Sequence, residues 1–206
     1  MVNIIQRPGN TLKSDIIIKA AQKRLGLYGF EKTTMSEIAA DVNLSKASLY
    51  YYFPDKEGLL LAVLTKEQEE YFRLIAYRME EISDPEKMVP EFVRIRHEYF
   101  TTFLNLTKFR FSDFYQIRPH FSDLINNLRH RETELFTTIL QKGVAKGFFK
   151  VKATEETALL FLEIIHGLRL IVIRNRPIQE LTPEDYNLMY EKHRHFIEMF
   201  IRSIKC

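Results

Sequence analysis

Apolar residues spaced three and four positions apart recur along this chain, and few helix-breaking residues interrupt them. The first such stripe predicts a helix over 11–27 that ends at Gly29. Its members are Ile17, Ala20, Ala21, Leu25 and Tyr28. The 206 residues contain seven glycines and seven prolines, which is few for the turns of an all-β fold. The sequence therefore predicts an all-α protein.

Two short helices are predicted after the first. Thr34 and Glu37 have the spacing of a capping box and predict a helix over 35–42. Ser45 can cap a third helix of about seven residues, which ends at Pro54. Lys56 then opens a long helix, the connector helix, which continues toward residue 82. Two short helices joined by a three-residue turn and packed on a longer one can place the second short helix in the major groove of DNA.

The outward face of the third helix is polar and aromatic, which core packing explains poorly. Lys46 can donate to guanine, and the small side chains of Ala47 and Ser48 allow close approach to base edges. The hydroxyls of three consecutive tyrosines, at 50–52, can donate to phosphates. Up to residue 56 there are eight Lys or Arg against five acids, so this end of the chain is slightly basic.

The segments TTMSEIAADV at 33–42 and LSKASLYYYFPDK at 44–56 resemble the DNA-binding head of the TetR family of bacterial transcriptional regulators. The resemblance extends over 11–64. It implies a three-helix head with a helix-turn-helix over 1–55 and a helical ligand-binding and dimerisation body over 56–206. It also implies a set of DNA-binding residues: Thr34, Ser45, Lys46, Ala47, Ser48, Tyr50, Tyr51, Tyr52 and Lys56.

Three features refine this surface. Among the predicted contacts, 46–48 fall where family members touch bases, and Thr34, the tyrosines and Lys56 fall where they touch phosphate. Glycine is common in the family at the position of Ala47, so a methyl group there reshapes the base contacts. Leu49 and Phe53 are assigned to the core, and we expect at least one of the three tyrosines to be partly buried.

The remaining sequence is divided by Pro and Gly into further helices, predicted over 86–106, 109–117, 120–146, 154–175 and 183–204, which gives about nine in all. The run at 148–152 is predicted to be a loop, because one isolated strand would have no partner in this chain.

Aromatic residues are concentrated between 92 and 121, on helices that line the ligand cavity in similar proteins. Each of them is explained equally by ordinary core packing. Glu163 and His166 share a face of an apolar helix and either bond each other or touch a ligand. The predicted binding site for a hydrophobic or aromatic inducer comprises Tyr99, Phe103, Phe114, Tyr115, Glu163 and His166.

The last two long helices, 154–175 and 183–204, carry more apolar surface than a terminal hairpin can bury, so a homodimer is predicted through them. The residues expected at this interface are Leu159, Leu162, Ile165, Ile173, Met189, Phe196, Phe200 and Ile201.

Other classes of function find little support. The longest apolar run, 59–64, is too short for a membrane span. The start lacks an apolar signal region and Cys206 is the single cysteine, so we expect a cytoplasmic protein. His193 and His195 lie on different helix faces, and no catalytic signature is present, so no metal, cofactor or enzymatic activity is predicted.

The sequence predicts a ligand-released repressor that binds a pseudo-palindromic, double-stranded operator as a dimer. The alternative is a helical small-molecule-binding or enzymatic protein whose short helices serve only packing.

Overall fold

A computed structural model describes the backbone of residues 8–107, 121–173 and 181–206, and the side chains of 12–102, 121–172 and 181–206. This part of the chain contains no strand and no helix long and apolar enough to cross a membrane. Its eight helices are α1 (Pro8–Lys32), α2 (Met35–Asp41), α3 (Lys46–Tyr52), α4 (Lys56–Glu81), α5 (Pro85–Thr107), α6 (Ser122–Ala145), α7 (Thr154–Ile173) and α8 (Pro183–Ile204). The all-α prediction is confirmed. The predicted helix at 109–117 lies outside the described residues.

The chain forms two compact units. The described residues of the first are 8–67 and 102–107, and those of the second are 68–101, 121–173 and 181–206. We refer to them as the head and the body. The domain boundary after residue 55 stays a prediction.

The core of the head is built from the predicted apolar stripes. Ile17 and Leu25 of α1, Ile38 of α2 and Leu49 of α3 are almost completely buried. Burial of four such side chains contributes roughly 1.5–3 kcal/mol each. Tyr28, the last residue of the apolar stripe predicted for α1, was wrongly included, because it is 53% exposed.

Aromatic stacking dominates the core of the body. Helix α7 packs against both α6 and α8. The rings of Phe136 and Phe161 are stacked with centroids 4.2 Å apart, and Phe92 lies 5.2 Å from Phe136. All three side chains are fully buried, so part of the aromatic content of the body is solid core.

The segment after α6 does find a partner. Gly147 has φ 75, a left-handed conformation that suits glycine, and it ends the helix as predicted. Phe149 then forms an isolated antiparallel bridge with Lys205, and the Cys206 N–H donates to the Phe148 carbonyl oxygen at 3.1 Å. The segment is not a strand, but the expectation that it has no partner in this chain was wrong, because the C-terminal residues after α8 supply one.

Most of the residues expected at the dimer interface belong to the subunit's own core. Leu162, Ile165 and Met189 are buried, and Phe196, Phe200 and Ile201 pack against the core of the body. Of the predicted set, Leu159 is exposed, and Ile173 lies outside the described side chains. Other apolar side chains of α7 and α8 are exposed instead: Leu160, Ile171, Leu188 and Met199.

Candidate nucleic-acid interface

The start of α2 is held by a complete capping box. The Glu37 N–H donates to Thr34 Oγ1 at 3.3 Å, and the Thr34 N–H donates to Glu37 Oε2 at 2.9 Å. The Thr34 hydroxyl also donates to Glu37 Oε2 at 2.8 Å. These hydrogen bonds, led by the one from the Thr34 hydroxyl, lower the pKa of Glu37. Because its single hydroxyl proton is engaged, Thr34 can reach a phosphate only by releasing Glu37.

A charged pair ties α1 to α2. The Arg24 guanidinium donates to both carboxylate oxygens of Asp41 and lies 3.4 Å from Glu37. Its hydrogen bond to Asp41 holds the pKa of that carboxyl below its ordinary value. Both acids of α2 thus share the one positive charge of Arg24, which offsets half of their negative charge.

The turn between α2 and α3 sets where α3 begins. Asn43 has φ 53, a conformation that asparagine tolerates better than most residues. The Leu44 N–H donates to the Ala39 carbonyl oxygen at 2.9 Å. The Ser48 N–H then donates to Ser45 Oγ at 3.0 Å, so Ser45 is the N-cap of α3, as predicted.

Helix α3 has one buried and one open face. Leu49 is fully buried and Phe53 is 8% exposed, which confirms their assignment to the core. On the open face, Lys46, Ala47, Ser48, Tyr50 and Tyr51 are all exposed, and Tyr51 is the most exposed of the tyrosines at 77%. Tyr52 is half-buried, as expected for at least one of the three.

The geometry of the open face suits a DNA backbone and base edges. The Lys46 ammonium lies 5.9 Å from the centroid of the Tyr50 ring, so a cation and a hydroxyl-bearing ring stand side by side. Tyr51 meets the edge of Tyr52 at a centroid distance of 5.4 Å. Hydroxyl and ammonium donors on one exposed helical face are the groups that bind phosphate and guanine.

Lys56 has an internal role that the sequence analysis missed. Its ammonium donates to the carbonyl oxygens of Phe30 at 2.9 Å and Thr33 at 3.2 Å, and it lies 4.1 Å from the centroid of the Phe30 ring. Carbonyl groups at the end of a helix need donors, and Gly29, with φ 78, interrupts α1 just before them. Lys56 therefore closes the end of α1, and one of its three N–H groups remains for phosphate.

The residues predicted to bind an inducer fall in different environments. Tyr99 is buried and stacked on Tyr71, with centroids 4.4 Å apart. His166 is half-buried, and its Nδ1 lies 2.7 Å from Arg169 Nη2, whereas Glu163 is exposed. The side chains of Phe103, Phe114 and Tyr115 lie outside the described residues.

The body contains a buried charged cluster that the sequence analysis did not identify. Glu132, on α6, accepts hydrogen bonds at one oxygen from the Tyr71 hydroxyl at 2.6 Å and from Arg96 Nε at 2.8 Å. A second buried arginine of the body is Arg169, on α7. It is the one charged residue of the apolar stretch 164–173, and this isolated charge is the sequence signal that could have identified it.

Comparison with known proteins gives a family match within the head and partial matches to curated regulators. The sequence model of the family of bacterial regulatory proteins, tetR family, matches residues 17–63. The transcriptional regulator RutR of Escherichia coli K12 is 31% identical over 86 residues, which cover 42% of this chain and 40% of RutR. The regulator YuxN of Bacillus subtilis is 38% identical over 63 residues, which cover 31% of this chain and 22% of YuxN. The chain thus matches less than half of the length of these curated relatives.

Solved structures extend the likeness to the whole chain. A transcriptional regulator from Cytophaga hutchinsonii is 36% identical, with a TM-score of 0.89, and the match covers 94% of this chain and 99% of that protein. A transcriptional regulator from Saccharomonospora viridis, crystallised in complex with choline, has the same fold at 19% identity, with a TM-score of 0.72 over 95% of this chain and 99% of that one.

Proposed function

Because this chain belongs to the TetR family of bacterial regulatory proteins, a family of DNA-binding transcriptional regulators, we propose that it is a ligand-released repressor of the cytoplasm. It binds a pseudo-palindromic operator as a homodimer, and a small molecule bound in the body lowers its affinity for that operator. The observation that carries the proposal is the open face of α3, where a lysine, two exposed tyrosines and small side chains follow a capped helix start.

The proposed contacts divide into two kinds. Lys46, Ala47 and Ser48 face base edges in the major groove, with Lys46 as the donor to guanine. The hydroxyls of Tyr50 and Tyr51 bind phosphates, together with those of Ser45 and Tyr52 and the free N–H of Lys56. The Thr34 hydroxyl joins them when it releases Glu37. Contacts of the first kind give specificity, and those of the second give affinity that falls with salt.

This division is tested by Lys46→Ala in a fluorescence-anisotropy titration with the DNA that flanks the protein's own gene and with random DNA of equal length. We expect the variant to lose about 1–3 kcal/mol of discrimination between the two. Lys152 is an exposed lysine in the loop before α7. Lys152→Ala is therefore the matched control, and it should keep the wild-type ratio of affinity for the flanking DNA to affinity for random DNA. An unchanged ratio in Lys46→Ala would show that α3 does not read the operator as proposed.

The proposed dimer uses the exposed apolar side chains of α7 and α8. Leu160, Ile164, Leu168 and Ile171 follow one another at steps of three and four along α7, and Met199 is 61% exposed on α8. An open groove of about 540 Å³ between the two helices includes Ile164, Leu168 and Met199. Apolar side chains that line an open groove on one pair of helices are typical of a protein interface.

Sedimentation at micromolar concentration tests the dimer. Met199→Glu should give monomers that fail to bind the operator, because a charge would be buried at the two-fold interface. Phe200→Glu is unsuitable, since Phe200 packs on Phe161 with ring centroids 4.7 Å apart and the variant would disturb the subunit's own core. Leu74→Glu, at an exposed leucine of α4, is the control that should remain dimeric. A monomeric wild type would contradict the proposal.

The proposed inducer is a mostly apolar molecule in contact with Tyr99 and His166, and the roles of Phe103, Phe114, Tyr115 and Glu163 stay part of the same proposal. The choline complex of the structural neighbour supports the idea that a protein of this fold takes up a small molecule. A ligand shifts an equilibrium only by its differential affinity for the two states. A true inducer must therefore bind the DNA-free protein more tightly than the operator complex, and operator titration at rising ligand concentration measures that difference.

A further inference from the structure

The buried charges around Glu132 do not balance. Glu132, 2% exposed, is paired with Arg96, 4% exposed, through the 2.8 Å hydrogen bond to Nε. The same carboxylate oxygen accepts the Tyr71 hydroxyl. A second guanidinium, that of Arg169, is buried in the same unit, and no carboxylate of the described residues forms an ion pair with it. Asp185, the other buried acid among the described residues of the body, forms the capping box of α8 with Thr182. Within the cluster, one buried acid therefore faces two buried cations.

Arg169 is also short of hydrogen bonds. Its Nη2 donates to His166 Nδ1, and because a guanidinium has no acceptor, His166 must be neutral with its proton on Nε2. Nε and Nη1 of Arg169 are buried and have no hydrogen-bond partner among the described residues. These two nitrogens carry three N–H groups, and each buried donor without a partner is unfavourable. Arg169 is 9% exposed as a residue, and both nitrogens are shielded from bulk solvent.

Burial does not remove the charge. It lowers the pKa of Arg169 to about 9, with the nearby Arg96 acting in the same direction, and this value is still above neutral pH. The guanidinium carbon lies 3.7 Å from the centroid of the Phe100 ring, and that of Arg96 lies 4.6 Å from the same ring. An aromatic face attracts a cation but offers no acceptor for its N–H groups. The donors of Arg169 thus stay available.

We propose that Arg169 binds an oxyanion, a carboxylate or a phosphate, of the small molecule that the body takes up. The inference rests on the proposed function, since it assigns a chemical class to that ligand. The remainder of the ligand is apolar or aromatic, because Phe100 lies beside the guanidinium and Tyr99 lies 5.3 Å from Phe100. The ligand is an organic acid rather than a neutral hydrocarbon or a cation.

Isothermal titration of the full-length, DNA-free protein with matched probes tests the charge. The probes are the acid and amide pairs benzoate and benzamide, 4-phenylbutanoate and 4-phenylbutanamide, and octanoate and octanamide, with phenyl phosphate and choline added. At least one acid should bind about tenfold or more tightly than its amide, because charge-assisted hydrogen bonds are roughly twice as strong as neutral ones. Choline should not bind.

Tighter binding of phenyl phosphate than of benzoate supports a phosphate as the oxyanion, and the reverse order supports a carboxylate. The absence of an acid preference in all pairs would overturn the proposal.

Two variants of Arg169 link the preference to this side chain. Arg169→Met should bind acid and amide equally, and Arg169→Lys, which keeps the charge but loses the planar fork, should retain a smaller preference. Arg194→Met, at an exposed arginine of α8 paired with Glu191 and Glu198, is the control and should behave as the wild type. Persistence of the full acid preference in Arg169→Met would overturn the assignment.

Thermal unfolding without any probe gives an independent measurement. Removing a buried cation that has no anionic partner of its own should leave the melting temperature of Arg169→Met unchanged or higher. A fall of several degrees would mean that Arg169 is already satisfied within the protein, and would also overturn the proposal.

The outcome is separable from that of the proposed function. An acid that binds through Arg169 but leaves operator affinity unchanged supports the oxyanion site and contradicts ligand release. A neutral ligand that releases the operator equally from wild type and Arg169→Met supports ligand release and contradicts the oxyanion site.

Discussion

His193 should make the stability of this protein depend on pH in a range where few other groups titrate. Its Nε2 lies 3.0 Å from the Ile165 carbonyl oxygen, so Nε2 carries the proton of a neutral ring. Its Nδ1 is buried without a hydrogen-bond partner in the described part of the body. Burial, reinforced by the nearby positive charge of Arg96, lowers the pKa of His193 from 6.5 to about 4. Protonation would add a further cation to the buried charges of Arg96 and Arg169.

The sign and size of the effect follow from the difference between the unfolded and folded states. Between pH 6.5 and pH 4 the unfolded chain binds a proton at His193 that the native protein does not bind, so the free energy of unfolding falls as the pH falls. The lowering of the pKa of His193 from 6.5 to about 4 corresponds to a total of about 3 kcal/mol, of which about 2 kcal/mol is lost between pH 7 and pH 5. Burial also lowers the pKa of His97, which adds a loss of the same sign. Glu91, with a pKa lowered to about 2, acts below this range.

Urea unfolding at fixed protein concentration, at half-unit steps from pH 7 to pH 5, measures this loss. His193→Gln can still donate to the Ile165 carbonyl group but cannot titrate, so its stability should change by about 2 kcal/mol less than that of the wild type over this range. His130→Gln is the control, because His130 is exposed, with 73% of its side chain accessible. Equal pH slopes for the wild type and His193→Gln would refute the reasoning.

Other predictions concern packing and the end of α1. Lys56→Met should lower the free energy of unfolding by about 1–3 kcal/mol, since two carbonyl groups lose a charged donor. It should also flatten the salt dependence of DNA binding by about one unit if the third N–H of Lys56 binds a phosphate. Urea unfolding measures the first effect and anisotropy at several salt concentrations the second, and unchanged stability would contradict the internal role. Gly143→Ala should destabilise the body by about 1–3 kcal/mol, because its Cβ would lie 2.0 Å from Phe149 Cδ2. At Gly167, an added Cβ would meet nothing within 4 Å in the subunit, so Gly167→Ala should be neutral or stabilise the subunit by up to about 1 kcal/mol. A weaker dimer of this variant in sedimentation would place Gly167 at the dimer interface.

The helices of the head were predictable because their signals are local. The Thr34 and Glu37 pair, the Ser45 cap and Pro54 each act within a few residues of the boundary that they set. Backbone donors at a helix start have no partner inside the helix, so a nearby side chain that can accept reveals where the helix begins. The start of α8 was predicted at 183 from the proline there, and the structure adds a second capping box, formed by Thr182 and Asp185.

Roles that depend on distant partners were not predictable. Lys56 bonds carbonyl groups 26 and 23 residues earlier in the chain, and no spacing rule connects such positions. Leu162 and Phe200 show why the dimer residues were partly misassigned: a helical stripe identifies apolar residues but not whether a neighbouring helix of the same subunit or a partner covers them. The side chains of α7 and α8 that remain exposed could be found only after their packing was known.

The unsatisfied donors of Arg169 give the proposed switch a source of free energy. A buried guanidinium without an anion keeps the ligand-free body less stable than its apolar packing alone would allow. A bound oxyanion removes that penalty, so ligand binding is strengthened by a term that a neutral analogue lacks. This term can alter operator affinity only if it differs between the DNA-bound and DNA-free conformations. A coupling of tenfold requires a difference of about 1.4 kcal/mol, which is within what one charged hydrogen bond at Arg169 supplies when it is made in one conformation and lost in the other.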